Sequence, residues 1–339
     1  TTAGAAYRRH APAAVQDAPC VERLCRAGMV SLGKTNLSEL AYSGLGLNPH
    51  FGTPHNPHGA DQARISGGSS SGSAVAVAAG IVPIAMGTDT AGSIRIPAAL
   101  NGLVGYRSSS RRYSRDGVFP LAHTLDGRAQ THNARSLKGQ RFVLAQQDVE
   151  PAVRNNLLRA VAQLQAQGAL IEERECPTFQ ATLDLIKHHG WLGSFEAFAL
   201  HQSLLDSADA EQLDPRVRRR LEAARTLPAS QLIHLTEARR RLQQQRLDDL
   251  DGAILITPTV AHVAPPLAPL EADDDLFIST NLATLRLTMP GSLLDMPGVT
   301  LPSGRDAQGL PTGLLLSAPT GEDARLLRAA LSVETVINV

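Results

Sequence analysis

The residues best suited to chemistry lie between positions 65 and 107, where serines and glycines interrupt segments rich in alanine, valine and isoleucine. This stretch contains GGSSSGSA at 67–74 and GTDTAGS at 87–93. Glycine permits positive φ and a close approach of the backbone to a ligand, so such loops can bring N–H groups and hydroxyls together. A phosphate cradle, an oxyanion hole and a plain tight turn are the three alternatives.

The motifs of two common loop sites are absent from this stretch. GGSSSGSA lacks the Lys-Ser/Thr ending of a P-loop, and no G-x-G-x-x-G opens a helix with an acidic residue at dinucleotide spacing. The residues around Ser93 read Ala-Gly-Ser-Ile-Arg, which is not the G-x-S-x-G nucleophile elbow. What remains is a serine in a glycine-containing turn, where consecutive N–H groups can point at one oxyanion.

Together these segments resemble the signature of the amidase signature family of serine hydrolases. Other segments resemble that family in the same order along the chain: GKTNLSELAYSG at 33–44, FGTPHNP at 51–57, DGAILITPTV at 251–260 and DMPGVTLPSGRDAQGLPTGLLL at 295–316. Either serine-rich motif alone would be a weak signal, whereas the pair is specific. The resemblance implies an α/β fold in which one amidase-signature domain spans 1–339, with a mixed β-sheet core covered by helices on both faces.

The resemblance also implies a Ser-Ser-Lys mechanism. Ser93 would be the nucleophile that forms an acyl-enzyme, and Ser69, in a cis peptide, would pass protons between Ser93 and a lysine. A serine hydroxyl needs such a base, and a lysine can serve only when its amine is neutral. By motif position the remaining site residues are the oxyanion-hole N–H groups of Thr90, Ala91, Gly92 and Ser93, the supporting Ser70, Asp89 and Arg95, and the substrate-binding Ser43 and Gly44.

In that family the catalytic lysine lies a few residues before a segment that the first residues of this chain resemble. The sequence contains three lysines, Lys34, Lys138 and Lys187, and none occupies that place. We therefore expect the lysine upstream of this chain, and a further segment near 127–131 to be missing as well. A truncated, impaired relative is the alternative.

Composition limits the possible partners. The chain has 32 Lys plus Arg and 32 Asp plus Glu, so its formal net charge is zero. This charge gives no reason to expect binding to nucleic acid or to an anionic membrane. Three cysteines form no paired or metal-spaced framework, which favours a reducing, cytoplasmic setting. His50, His55 and His58 lack the orderly spacing of a metal site. We expect no cofactor, a small-molecule amide as substrate, and a homodimer.

Patterning predicts the elements that position the site. We predict strands at 29–32, 81–86, 140–145, 169–174, 254–256, 299–301 and 312–316. We predict helices at 73–79 and 97–101, from Pro151 to just before Gly168, through most of 181–250, and at 322–330. Another helix is predicted to begin near Thr35 or Asn36, and Gly44 either lines the substrate pocket, as the resemblance implies, or caps the end of a helix. The arginines of 237–250 are assigned to a solvated helix face, and His188, His189 and His201 are candidate substrate contacts.

The sequence thus predicts an amidohydrolase that cleaves a C–N amide bond through an acyl-serine on Ser93. Two alternatives stay open. One is a glutaminase that resembles the glutamine-hydrolysing component of a tRNA-dependent amidotransferase, and the other is a non-catalytic relative that acts by binding.

Overall fold

One mixed sheet of six strands organises the computed structural model, which describes residues 1–59, 61–122 and 136–337. The strand order is β1-β5-β6-β4-β2-β3. Strand β2 runs parallel to β3 and β4, and the other neighbours are antiparallel. The strands are β1 (Gly105–Arg107), β2 (Arg141–Leu144), β3 (Leu170–Glu173), β4 (Ile254–Pro258), β5 (Gly298–Arg305) and β6 (Pro311–Ser317).

Helices account for most of the remaining regular structure. Several begin at proline, whose fixed φ suits the first helical turn. In the described residues they are α1 (Pro19–Arg26), α2 (Ser71–Ala78), α3 (Arg95–Leu100), α4 (Pro151–Ala166), α5 (Pro177–His189), α6 (Leu192–Leu205), α7 (Pro215–Glu222), α8 (Ala229–Leu250), α9 (Leu267–Ala272), α10 (Asp274–Leu285), α11 (Met289–Leu293) and α12 (Asp323–Glu334).

The alternation of side chains along β2 shows how the sheet is covered on both faces. Phe142 and Leu144 pack with residues of α4 and α12 in one buried cluster. Val143 lies in another cluster, with residues of α5 and α8. Successive strand residues point to opposite faces, so both faces of β2 are buried. Burying each such side chain contributes about 1.5–3 kcal/mol to folding. The predicted mixed sheet with helices on both faces is confirmed.

Helix α3 packs closely on the antiparallel part of the sheet and so fixes the turn that precedes it. A Cβ on Gly313 of β6 would lie 2.8 Å from the Cβ of Ala99, which leaves no room for a side chain there. Ile96, Ala99 and Leu100 belong to a third buried cluster. The turn carrying Ser93 is therefore held against the sheet by a rigid, short helix.

Most predicted elements are confirmed within a few residues. They include the strands that became β2 to β6, helices α2, α3, α4 and α12, and the helical region between 177 and 250. The interpretation of 237–250 as a solvated face was partly wrong, because Arg246 is buried and its Nη1 donates to the carbonyl of Leu294 at 2.6 Å.

The predicted strands at 29–32 and 81–86 were wrong. Both segments are irregular, and in the described part of the chain no strand pairs with either. Their apolar side chains are exposed, with Val30 at 82% and Ile81 at 68%. The residues of both segments favour β-strands, but a strand forms only when a neighbouring strand completes its hydrogen bonds.

The helix predicted near Thr35 or Asn36 was also wrong, and Gly44 ends no helix. Leu40 and Ala41 have φ of +51° and +58°, which a right-handed helix cannot contain. A single 3₁₀ turn covers Glu39–Ala41, and the N–H of Ser38 donates instead to the carbonyl of Ser69 at 3.1 Å. This segment is therefore a loop wrapped around Ser69.

Two further observations complete the fold. Within the residues that the structure describes, no helix is both long enough and apolar enough to cross a bilayer. The segment at 127–131, where we expect missing sequence, lies outside the described residues.

Candidate active site

The two serine-rich segments are in direct contact. The N–H of Ser70 donates to the carbonyl oxygen of Ser93 at 3.2 Å. The Ser70 hydroxyl lies 3.3 Å from both the N–H and the carbonyl of Thr88, accepting from the first and donating to the second. The structure thus brings together Ser69, Ser70 and Ser93, although Ser93 is more than twenty positions from the other two in sequence.

Ser69 is completely buried and follows a cis peptide bond from Gly68, as the resemblance implies. Its carbonyl accepts from the N–H groups of Ser38 and Ser71, at 3.1 and 2.8 Å. Its hydroxyl has no hydrogen-bond partner among the described residues. A buried hydroxyl without a partner is costly, so it marks a place where a further polar group belongs.

Ser93 is 5% exposed and lies in a turn that carries free N–H donors. Within the described chain, no acceptor is found for the N–H groups of Ala91, Gly92 and Ser93. Gly92 has a φ of +145°, and a Cβ there would lie 2.2 Å from the Thr288 hydroxyl. Glycine is therefore required at 92, and the turn can present consecutive donors to a negatively charged oxygen.

Buried charges hold this turn in place. The Asp89 carboxylate accepts from Arg95 Nε and Nη2, at 2.9 and 2.8 Å, and from the backbone N–H groups of Ile94 and Arg95, both at 3.2 Å. Arg107 Nε lies 3.8 Å from the same carboxylate. Burial alone would raise the pKa of Asp89, but the charges of Arg95 and Arg107 and the hydrogen bonds from Arg95 hold that pKa below its usual value.

Thr288 supports the same turn from the other end of the chain, and sequence reasoning missed it. Its hydroxyl donates to the carbonyl of Ala91 at 2.6 Å, and its own carbonyl accepts from Arg95 Nη1 at 3.1 Å. Ser292 accepts from Arg95 Nη2 at 2.7 Å. A lone threonine or serine near a Met-Pro pair carries no distinguishing pattern, so no sequence signal marked either residue.

Ser43 and Gly44 lie in the loop beside Ser69. The carbonyl of Gly44 accepts from the N–H of Gly68 at 2.8 Å. Asn281 of α10 accepts from the Gly44 N–H at 2.7 Å and from the Ser43 hydroxyl at 3.2 Å. A Cβ on Gly44 would lie 3.0 Å from the side chain of Leu285. The loop is thereby fixed between Ser69 and α10, and Asn281 is a second contact that the sequence did not reveal.

The three lysines are not assembled with these serines. Lys34, Lys138 and Lys187 are all exposed, and Lys34 Nζ donates to the hydroxyl of Thr1 at 3.0 Å. The candidate histidines are also dispersed: His188 lies on an exposed face of α5, whereas His201 is buried against Phe119.

Comparison with known proteins places this arrangement in a family. The family model named Amidase matches residues 1–131 and 127–327. The 2-amino-5-chloromuconic acid deaminase of Comamonas testosteroni is 32% identical over 354 residues, covering 94% of this chain and 74% of that protein. A glutamyl-tRNA(Gln) amidotransferase component of Prochlorococcus marinus is 32% identical over 378 residues, covering 94% and 76%. A crystal structure of an amidase superposes with a TM-score of 0.85 at 29% identity, covering 99% of this chain and 81% of that one.

Proposed function

The chain belongs to the amidase family of C–N hydrolases, and on that premise we propose that it cleaves an amide through an acyl-serine intermediate on Ser93. The observation that carries this proposal is the buried Ser69 hydroxyl, which has no hydrogen-bond partner among the described residues and belongs to the residue before Ser70, whose N–H donates to the Ser93 carbonyl. A free hydroxyl in that place can relay a proton, as a nucleophilic serine requires.

The proposed reaction has two halves. In the first, Ser93 Oγ attacks the amide carbon while its proton passes to Ser69 and on to a base. The N–H groups of the turn at 90–93 stabilise the negative oxygen, and collapse expels ammonia or an amine that takes up the proton. In the second half, water attacks the acyl-serine with the same proton relay, which releases the acid and restores Ser93. Ser70, Asp89 and Arg95 keep the turn in position.

The base in this proposal is a lysine outside these 339 residues. Lys34, Lys138 and Lys187 are all exposed, whereas a lysine that is to act as a base needs a buried or positively charged environment. The apolar segments at 29–32 and 81–86 pair with no strand of the described chain, and Thr35, just after the first, and Met86, at the end of the second, both contact Ser73 of α2. A strand that covers them would reach the neighbourhood of the Ser69 hydroxyl and could carry that lysine.

A second candidate function is that of the glutaminase in an amidotransferase complex. It is favoured by the 32% identity to a glutamyl-tRNA(Gln) amidotransferase component. Release of ammonia from free glutamine, together with co-purification of partner proteins, would support it. Hydrolysis of simple amides by the isolated protein without glutaminase activity would contradict it.

Ammonia release from a panel of primary amides tests the main proposal. We expect activity in the protein produced from its complete gene, and its loss in Ser93→Ala. Ser73→Ala is a matched control, because Ser73 lies in the same serine-rich segment as Ser69 but its hydroxyl donates to the Met86 carbonyl at 2.7 Å. Equal activity in Ser93→Ala and the wild type would contradict the proposal.

A further inference from the structure

Glu39 carries a buried carboxyl group that the proposed reaction does not use. The residue is 1% exposed and begins the 3₁₀ turn of the loop wrapped around Ser69. Its Oε2 accepts from the N–H of Asp214, the residue that caps α7, at 2.7 Å. Its Oε1 lies 3.2 Å from Nε2 of His50. One side chain thus joins this turn to the loop around His50 and to the start of α7.

The turn that Glu39 begins is in direct contact with the serine proposed to relay protons. The N–H of Ser38, the residue before Glu39, donates to the carbonyl of Ser69 at 3.1 Å. The two residues after it, Leu40 and Ala41, have φ of +51° and +58°. Such conformations are unfavourable for residues other than glycine and persist only where surrounding contacts impose them. The buried carboxyl group anchors this strained turn at its first residue.

One shared proton best satisfies Glu39 and His50. Neither Glu39 Oε1 nor His50 Nε2 takes part in a hydrogen bond among the described residues, although the two atoms are 3.2 Å apart. A carboxyl proton donated from Oε1 to the lone pair of Nε2 would satisfy both atoms. Burial disfavours the alternative ion pair, because it raises the pKa of Glu39 to about 7 and lowers the pKa of His50.

The charged and titratable side chains around this pair leave that preference in place. Asp214 raises the pKa of both groups, but its carboxylate is itself paired with Arg216 at 2.8 Å. Arg9, whose Nη2 donates to the His50 carbonyl at 3.0 Å, lowers the pKa of His50. Burial raises the pKa of Tyr7, which also interacts with the acid, so its phenol stays neutral. Both members of the pair are therefore uncharged just below neutral pH.

We propose that Glu39 is a positioning residue that works as a neutral acid, donating a proton to His50 and so holding the turn at 38–41 against Ser69. Ionisation of Glu39 puts a negative charge in a buried place and removes the donated hydrogen bond, which weakens the anchor of the turn. The proton relay then loses its alignment, and hydrolysis slows as Glu39 ionises. This inference rests on the proposed function, since it assigns a role in the same reaction.

The tautomer of His50 tests the shared proton without requiring hydrolysis. In protein labelled with nitrogen-15 in its histidine rings, the His50 signals are those that disappear in His50→Asn. At pH 6.5 we expect a neutral ring with its proton on Nδ1, because Nε2 accepts from Glu39. A ring protonated on both nitrogens at this pH, or a neutral ring with its proton on Nε2, would overturn the inference.

The pH dependence of kcat tests the positioning role. Glu39→Gln imitates the neutral acid, because its amide oxygen can accept from the Asp214 N–H and its amide nitrogen can donate to His50. We expect this variant to keep most of the wild-type kcat at pH 6. At pH 9, where only the wild type carries the charge, it should be about 10-fold more active than the wild type, since a small misplacement of a reacting group has effects of this size or larger.

The ratio of the two kcat values isolates Glu39, because it cancels every titration that the two proteins share. A ratio that stays constant from pH 6 to pH 9 would overturn the inference. A variant that has lost its activity at pH 6 would overturn it as well, since the ionised carboxylate would then be the working form.

Two further variants keep the kinetic test decisive. Glu211→Gln is the matched control, because Glu211 is an exposed carboxylate paired with Arg218 at 2.8 Å, and its kcat profile should follow that of the wild type. Glu39→Leu removes both hydrogen bonds and should lower kcat at every pH, with circular dichroism used to show that the compared proteins are folded. A folded, fully active Glu39→Leu would overturn the inference. If Glu39→Leu does not fold, the Glu39→Gln ratio decides.

Failure of the inference is distinguishable from failure of the proposed function. If amide hydrolysis depends on Ser93 but the ratio of kcat values does not change with pH, the role of Glu39 is wrong and the mechanism stands. If the His50 tautomer shows the shared proton but no amide is hydrolysed, the shared proton stands and the acyl-serine reaction is wrong.

Discussion

The N–H of Ser70 donates to the carbonyl oxygen of Ser93 at 3.2 Å, so the two serine-rich segments are joined next to the residues proposed to exchange a proton. Ser69, the residue before Ser70, has a buried hydroxyl with no hydrogen-bond partner in the part of the chain that the structure describes. Among the described residues the Ser70 hydroxyl is engaged in hydrogen bonds and the Ser69 hydroxyl is not, so we assign positioning to Ser70 and propose proton transfer for Ser69.

Replacing Ser69 should affect catalysis far more than stability. We expect Ser69→Ala to lower kcat by about 10²- to 10⁴-fold, the usual contribution of a positioned proton-transfer group. Its free energy of unfolding should stay the same or rise, since the variant removes a buried hydroxyl that has no hydrogen-bond partner among the residues described. Urea unfolding and ammonia release measure the two effects. A large loss of stability, or unchanged kcat, would show that Ser69 has a structural role only.

Thr288 should control the geometry of the oxyanion turn. Thr288→Val removes the hydroxyl that donates to the Ala91 carbonyl, which leaves a buried acceptor unpaired and should cost about 1–3 kcal/mol of stability. We also expect kcat to fall by about 10-fold or more while KM changes little, because the N–H groups act in the transition state. Thr288→Ser keeps the hydroxyl and should restore most of both properties. A Thr288→Ser protein as defective as Thr288→Val would contradict the assignment of these effects to the hydrogen bond.

Asp89 should be essential for folding at neutral pH. Asp89→Asn leaves the buried guanidinium of Arg95 without its counter-charge and removes one of the two carboxylates near Arg107, so we expect a loss of about 3–5 kcal/mol in the free energy of unfolding. The matched control is Asp251→Asn, which breaks an exposed pair with Arg141 and should cost at most about 1 kcal/mol. Similar losses in both variants would contradict the buried-charge account.

The Asp89 carboxylate also predicts how the stability of the protein depends on pH. Because the pKa of Asp89 is lower in the folded protein than in the unfolded chain, its contribution is present above the unfolded value and disappears as pH falls through the folded one. Wild-type stability should therefore fall in acid more steeply than that of Asp89→Asn. Urea unfolding across the acidic range up to neutral pH tests this, and parallel curves would contradict it.

Glu39 should make the free energy of unfolding fall as pH rises from its ordinary pKa of 4.5 to neutral pH, which is the opposite of the effect of Asp89. Burial raises the pKa of Glu39 to about 7, despite the N–H of Asp214 that donates to its carboxylate at 2.7 Å. A raised pKa means that the folded state binds the proton more tightly, so this contribution is complete below the unfolded pKa and is lost as pH rises through the folded one. The expected loss is about 3 kcal/mol.

Glu39→Gln should therefore abolish that slope, and the comparison with wild type isolates it. His50 lies 3.2 Å from the Glu39 carboxylate, and burial lowers the pKa of His50, so its own titration gives a slope of the opposite sign. Glu211→Gln changes an exposed carboxylate and should keep the wild-type slope. If Glu39→Gln keeps it too, Glu39 is ionised in the folded protein across this range.

Sequence patterning predicted the helices and strands that are marked by residues close to one another in sequence, such as apolar residues repeated along one face and the residues at each end. Helix α4 follows from Pro151, the apolar spacing and Gly168, and β5 and β6 follow from two apolar runs around a short turn. The signature turn was also predictable, because glycine at 92 is dictated by local backbone geometry. These features are encoded within a few residues of one another.

Long-range contacts explain what the sequence did not predict. Thr288 reaches Ala91 across 197 positions, and Arg220 reaches Tyr42 across 178. Neither residue type is unusual in its own segment. The strands at 29–32 and 81–86 were mispredicted for the converse reason: their residues favour strands, but pairing depends on a neighbour that the described chain does not provide.

Covalent labelling of Ser93 tests the central claim most directly. Protein produced from its complete gene is treated with a fluorophosphonate, and its intact mass is compared with that of Ser93→Ala treated in the same way. We predict one adduct per chain in the wild type and in the Ser73→Ala control, and none in Ser93→Ala. An unlabelled wild type, or a Ser93→Ala protein that is labelled as fully as the wild type, would contradict an acyl-serine on Ser93.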